Sequence, residues 1–417
     1  MCTAVCHVCV EDTYLKQIIE NDGTPILCSV CQSTANNAFT IEELGKALEP
    51  IMREHFSLGG QIKRFYDDDS EGWEQEGDPM SYAVQEVLGQ YFDFEDEIVD
   101  AVCDADDYSP GDGEEPYWDN TANYVPNRIQ IGDYYAHWNY ALLELKSSRR
   151  FFSPSTLDLF DKLFDDIDTL KTWRGNKLLS VARTLPVGTK FHRARIFTSH
   201  SILKDIASDP FQYVGPPPQE QARAGRMSPE GVVVFYGARD IDTALAELRP
   251  AIGNEVAAIS VKTTRRLRLL DFSRLEKAIT DKSLSYFQPN FTDELGKQKF
   301  LRHLHQLISQ PVIPGRETDY LITQTMGEYL AHVYPKPFDG ILFASTQRVN
   351  GINIVLFSKP DLIAVSVGES FGIKYIDDSL RLYSTDKIEH SHSQIDFSFL
   401  EGELYISHDY DYDYDDD

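Results

Sequence analysis

The hydrophobic pattern of this chain changes period once, near Leu185, and that change limits the folds open to it. Before it, apolar residues recur at helical spacing. Ile41, Leu44, Leu48, Ile51, Met52 and Phe56 mark one helix over 40–56; Val84, Val87, Leu88, Tyr91, Ile98 and Val99 mark a second over 82–102. A third begins near Tyr134 and passes through Trp138, Leu142 and Leu145. Ser153-Pro154 offers a cap and a first-turn proline for a fourth, through Leu157, Phe160, Leu163, Phe164 and Ile167. After Leu185 the apolar runs shorten to strand length, at 190–196, 232–236, 256–261, 267–269, 341–343, 352–357 and 362–367. Helices at 242–248, 293–308 and 319–333 lie between them. The expected fold class is α+β, with a helical region followed by a mixed sheet.

Four of the six cysteines fall in two CxxC pairs, Cys6/Cys9 and Cys28/Cys31. Each pair sets two thiolates on one tight loop, and two such loops close a tetrahedral four-thiolate zinc site. Asn21-Asp22-Gly23 reads as a turn between them, and Cys2 and His7 are substitute ligands. Four thiolates leave no open position, so the metal is structural. Cys103 stands apart as a small hydrophobe.

The formal net charge is -28, which argues against nucleic acid as a partner. No run reaches the ~18 apolar residues of a membrane span. The N-terminus has neither a basic nor an apolar leader region, so the expected location is the cytoplasm. The segments 67–78 and 104–119 are acidic and turn-rich and read as surface loops. Lys146–Arg150, beside Phe151 and Phe152, reads as a solvated helix end favoured by the helix dipole. Asp409–Asp417 is too polar to bury and reads as disordered.

Ala224–Pro250, AGRMSPEGVVVFYGARDIDTALAELRP, holds a short apolar strand and a helix that carries Glu247 among Ala244, Leu245, Ala246 and Leu248. A half-buried carboxylate needs partners, and Arg193 in FHRAR and Arg226 are candidates. GPPP at Gly215–Pro218, then AGRM, FYGA, TALAE, DYLITQ at Asp319–Gln324 and DGILFASTQ around Ser345 succeed one another in order. In that order they resemble the RES domain family, whose name letters fall here on Arg193, Glu247 and Ser345. The Cys-rich start and the helices before the match resemble the long form of that family, with its helical (HEPN/RES N-terminal) region. The expected domains are a zinc ribbon at 1–32, a helical domain at 33–178, the RES domain at 179–400 and an acidic tail at 401–417. Ala344 stands where the family often has proline.

The resemblance implies an ADP-ribosyltransferase-like fold and a toxin-like enzyme that uses NAD as substrate and breaks its nicotinamide–ribose bond, as a glycohydrolase or phosphorylase. It also implies a toxin–antitoxin or phage-defence setting, with an antitoxin or other inhibitory protein as partner; a homo-oligomer is a further option. Within that implication, Arg193 and Arg226 hold the pyrophosphate, with Arg195 on the same strand face as Arg193. Glu247 faces the ribose cation, Tyr236 the nicotinamide ring, and Ser345 a phosphate or ribose oxygen. His192 faces away from Arg193 in a strand and is left out. Two alternatives remain at this level: a protein ADP-ribosyltransferase on the same fold, and a non-catalytic zinc-ribbon interaction module.

Overall fold

A computed structural model describes residues 3–65, 71–109, 111, 113–127, 132–279, 284–309, 317–359, 367–388, 396–400 and 403–407. The chain divides into two compact units: Met1–Arg183 with Leu270–Lys336, and Thr184–Leu269 with Pro337–Asp417.

The first unit starts with strands Ala4–Cys6, Thr24–Pro25 and Asn37–Thr40 in one small antiparallel sheet. Between the two cysteine pairs runs a helix, Thr13–Asp22, where the residue pattern signals only a turn. Asp12 caps it by accepting from the Tyr14 and Leu15 amides, and Gly23 closes it, so Asn21-Asp22-Gly23 is its C-terminus. The expected helix at 40–56 forms as Ile41–His55, opened by a capping box between Thr40 and Glu43. The expected helix at 82–102 is two, Met80–Leu88 and Glu95–Asp104, because Gly89 takes a left-handed φ of 68° and ends the first. Leu44, Leu48, Met52, Val84, Ile98 and Val102 meet in one core.

Gly45 is the closest approach of that packing: a Cβ there would stand 2.5 Å from the Ala101 carbonyl oxygen. Gly45→Ala is therefore expected to lower stability by about 1–3 kcal/mol, read as a lower urea midpoint at unchanged slope.

The acidic segment 104–119 is pinned where it is described. Asp106 pairs with Arg53 at 2.5 Å and accepts from the Tyr117 amide, while Trp118 is buried and donates to Glu49. Of the expected 67–78 loop, the described part holds a strand, Glu71–Gln75, paired to Gln61–Phe65, and Asp78 pairs with Tyr124. Helices Gly132–Ser147 and Pro154–Phe164 match the expected third and fourth, the latter capped by Ser153. At the end of the former, Lys146 pairs with Asp319 and Arg149 with Glu144. The helix Phe291–Ser309 belongs to this unit too: Phe300 packs against Tyr134 and Trp138, and Tyr134 donates to Asp293 at 3.1 Å. That aromatic cluster explains why 270–336, inside the 179–400 span expected for the RES domain, clusters with the first unit.

The second unit is α+β, built on a curled mixed sheet. Its strands are β1 (Ala182–Leu185, of which Thr184 and Leu185 belong to this unit), β2 (Lys190–Phe197), β3 (Val234–Ala238), β4 (Glu255–Thr263), β5 (Leu267–Asp271, of which Leu267 to Leu269 belong to it), β6 (Gly340–Ala344), β7 (Ile352–Phe357), β8 (Ile373–Tyr375) and β9 (Arg381–Ser384). Their spatial order is β1-β5-β6-β7-β3-β2-β4-β8, with β9 also on β4. Three short helices cover this sheet: α1 (Leu203–Ser208), α2 (Pro210–Val214) and α3 (Ile241–Ala246). One sheet face packs Phe191, Phe235, Ile259 and Ile354 against α1 and α2. The other packs Ala194, Ala238 and Ala258 under α3. Asp396–Leu400 and Glu403–Ser407 pair as a hairpin, so the tail region expected from 401 onward begins with a strand whose Leu404 and Ile406 alternate with polar residues. The expected strand at 362–367 falls outside the described residues except Val367, which opens a short helix. Asp409–Asp417 also lies outside them.

Candidate functional site

Glu247 comes directly after α3, capping its C-terminus. Its Oε1 accepts two hydrogen bonds, from Ser345 Oγ at 2.5 Å and from Asn353 Nδ2 at 2.8 Å. Both donors are neutral. Among the described residues Glu247 makes no ion pair, and Oε2 has no hydrogen-bond partner. Neither candidate partner, Arg193 or Arg226, forms an ion pair with Glu247 among the described residues. Ser345 is itself held: its Oγ accepts from the Gln347 amide, and its own amide donates to the Gly351 carbonyl. Arg348 ties the same loop to the start of α3 through Asp240 and Asp242. The loop 345–351 is thus fastened to both ends of the helix that presents the carboxylate.

Asn353 is a site residue that the motifs do not name, although a signal for it exists. It is the one amide in the otherwise apolar run INIVLF, where strand propensity disfavours it. It is buried at 5 % exposure, so its side chain needs a partner, and Glu247 is that partner.

Strand register decides which residues share a face. β2 pairs with β4 over all eight residues, Arg193 opposite Ile259 and His192 opposite Ser260. Across β3, His192 lies opposite Ala238, and Ala238 opposite Asn353 of β7. Ser260, His192, Ala238 and Asn353 therefore form one row on one face, the face of α3 and Glu247. Arg193 starts from the other face, beside Phe235 and α2. His192 does face away from Arg193, as expected, but the consequence reverses: the carboxylate is on the His192 side. There His192 Nδ1 and Ser260 Oγ are 3.0 Å apart, and burial lowers the imidazole pKa.

Arg193 sits where two strands part. Beyond the His192–Ala238 pair, β2 and β3 share no further register among the described residues, so β3 lacks ladder partners along that edge. Arg193 supplies one: Nη1 donates to the Tyr236 carbonyl at 2.5 Å, while Nε donates to the carbonyls of Val214 and Gly215 at 3.0 and 3.2 Å. The Nη2 group has no protein partner among the described residues. Burial, then the like charge of Arg195, push the Arg193 pKa down to about 10, which leaves it a cation at neutral pH. Arg195 is exposed and donates to the Tyr213 carbonyl at 3.0 Å. Arg193→Ala leaves three carbonyls short of a donor, so it is expected to cost about 2–3 kcal/mol in urea unfolding, with Arg193→Lys in between.

Tyr236 alternates with Ala238 and so shares the face of Glu247. Its hydroxyl accepts from the Met227 amide at 3.0 Å, and burial raises its pKa, so the phenol stays neutral. The turn Gly225–Ser228, which carries Arg226, closes with a 2.8 Å bond from the Gly225 amide to the Ser228 carbonyl. A Cβ at Gly225 would stand 3.0 Å from the Tyr236 hydroxyl, a tight contact that glycine avoids. The structure thus joins Tyr236 to the Arg226 turn, and Glu247 to Ser345 and Asn353.

Residues 190–376 match the family model described as RES domain. This stretch is a RES domain. The RES span contains Arg193, Arg195, Arg226, Tyr236, Glu247, Ser345 and Asn353. The RES family is associated with NAD-related, toxin-like activity. No curated protein and no solved structure matches the chain.

A second cluster lies outside the RES domain. The sulfurs of Cys6, Cys9, Cys28 and Cys31 all lie within 4.8 Å of one another, close enough to hold a metal ion. Cys6–Cys9 and Cys6–Cys31 are 3.6 Å apart, and Cys9–Cys28 3.8 Å. A tetrahedron with metal–sulfur bonds of ~2.3 Å has edges of ~3.8 Å, which is the spacing found. The Cys6 amide donates to Cys28 Sγ at 3.3 Å. Burial works against the Cys28 thiolate, yet the backbone amides of Cys31, Cys6 and Val30 bring its pKa down to about 7. His7 Nδ1 is engaged with the Asn37 carbonyl, and Cys2 lies outside the described residues. Among the described residues no helix is long and apolar enough to cross a membrane.

Proposed function

We propose that the RES domain cleaves the nicotinamide–ribose bond of NAD, by hydrolysis or phosphorolysis, with Glu247 as the carboxylate beside the ribose. The observation that carries this reading is the state of Glu247: Oε1 is fixed by two neutral donors, Oε2 is uncommitted, and no cation among the described residues pairs with either. A charge prepared in this way is suited to a cation that appears only during reaction. Breaking the ribose C1′–nitrogen bond sends its electron pair to the ring nitrogen, and nicotinamide leaves neutral. The positive charge passes to C1′ and the ring oxygen, as in glycoside hydrolysis. Oε2 stabilises that cation, and the Ser345 and Asn353 donors keep the carboxylate aimed. Water or phosphate then bonds to C1′; in hydrolysis the water's proton is released to solvent. Tyr236 offers its ring face to nicotinamide while its hydroxyl holds the Arg226 turn. Arg226, the Nη2 group of Arg193 and Arg195 are the cations assigned to the pyrophosphate.

We also propose that the ion of Cys6, Cys9, Cys28 and Cys31 is zinc with a structural role, because four sulfur ligands at tetrahedral spacing leave no position for substrate.

The test is to incubate the purified full-length chain with NAD, with and without inorganic phosphate, and to identify the products by mass spectrometry. Free nicotinamide with ADP-ribose, or with phosphorylated ADP-ribose in the phosphate arm, is expected. ADP-ribose found only on protein would move the reading to protein ADP-ribosylation. Unchanged NAD would refute it.

A further inference from the structure

Among the described residues, five other than glycine adopt positive φ: Gln32, Asp166, Arg249, Asn350 and Asp378. Asn and Asp tolerate the left-handed region through short local hydrogen bonds, and Gln32 lies in the turn after the second cysteine pair. Arg249 fits neither description. Its φ is 46°, and it lies just past the end of α3, where glycine is the usual left-handed residue. Pro250 comes next, and a residue before proline is driven toward extended backbone. Two local rules are therefore broken at one position, two residues after Glu247.

Its side chain gains nothing visible in return. Arg249 is exposed, and its only hydrogen bond among the described residues is its amide to the Ala246 carbonyl at 3.0 Å. In a chain with 67 acidic and 39 basic residues, its guanidinium has no carboxylate partner among the described residues. Strain held beside a candidate reacting group is an established sign of function rather than of folding.

We propose that Arg249 is a substrate-binding residue whose guanidinium takes phosphate oxygens at the Glu247 site. The proposal rests on NAD being the substrate and extends that reading. The shared chemistry is a phosphate oxyanion; its source is either the pyrophosphate of NAD or inorganic phosphate acting as the attacking group.

The test compares the full-length wild type with Arg249→Gly and Arg249→Lys. Glycine relieves the backbone, so its melting temperature is expected to rise by about 2 °C. The same variant is expected to bind inorganic pyrophosphate about tenfold more weakly by titration calorimetry. Its KM for NAD should rise about tenfold, with kcat within about twofold. Arg249→Lys keeps the charge and should retain part of the affinity. If only the KM for inorganic phosphate rises, the source is the attacking phosphate and the proposal stands. If Arg249→Gly is stabilised while its affinities for pyrophosphate, phosphate and NAD match wild type, the proposal fails. A destabilised Arg249→Gly with unchanged affinities would also overturn it, by showing a role in folding. The two readings separate cleanly: Arg249-dependent pyrophosphate binding without NAD turnover removes the NAD reading alone, and NAD turnover with Arg249-independent affinities removes this proposal alone.

Discussion

Glu247→Gln is expected to lower NAD turnover about a hundredfold or more, with NAD affinity within about twofold and the fold intact. Glutamine keeps the shape and, with its carbonyl in place of Oε1, still accepts from Ser345 and Asn353. Because no cation among the described residues pairs with Glu247, neutralising it breaks no ion pair there, so stability has little reason to change. What is lost is the negative charge at Oε2, whose value rises as positive charge develops at C1′. Turnover and affinity therefore separate. A glutamate kept for folding predicts the opposite, with activity falling only as far as the protein unfolds. Circular dichroism melting, NAD titration and initial rates on the same preparations distinguish the two outcomes.

Removing the metal is expected to loosen residues 3–40 and lower the melting temperature by about 5 °C or more. The cysteine loops carry little apolar mass of their own; Ala4, Cys6, Cys28 and Ala38 form a small cluster. Val5, Leu15, Ile19 and Phe39 reach into the larger core of the first unit, so the loss spreads beyond the loops. Native protein should contain one zinc per chain by elemental analysis, and both chelation and Cys28→Ser should open this segment to protease. Native protein without zinc would contradict the assignment.

The fold class is legible in the sequence because periodicity reports directly on which residues face a core. Helix boundaries are legible wherever a cap is local, as at Thr40 and Ser153. The break at Gly89 is legible in principle, since glycine ends helices by its left-handed freedom, but the apolar spacing runs across it. That Phe291–Ser309, inside the RES match, packs in the first compact unit is not legible, because Phe300 meets Tyr134 and Trp138 from more than 150 residues away in sequence. In the site, motifs name Glu247 and Ser345, which the fold brings to 2.5 Å. They cannot say that Arg193 starts from the opposite face, because that depends on the chain of registers His192–Ala238–Asn353. Asn353 is hidden for the same reason: its role appears only when β7 is laid beside β3.

If Glu247 serves a ribosyl cation, nicotinamide release depends on the ribose ring oxygen. The decisive comparison is nicotinamide release from NAD against release from a carbocyclic analogue, in which CH2 replaces the ribose ring oxygen next to nicotinamide. The analogue keeps the pyrophosphate, the hydroxyls and the nicotinamide, but has no ring-oxygen lone pair to share a positive charge at C1′. Both compounds are expected to bind the wild-type chain with similar affinity, and only NAD to release nicotinamide. Release from the analogue at the rate seen with NAD, or no release from either, would contradict this role of Glu247.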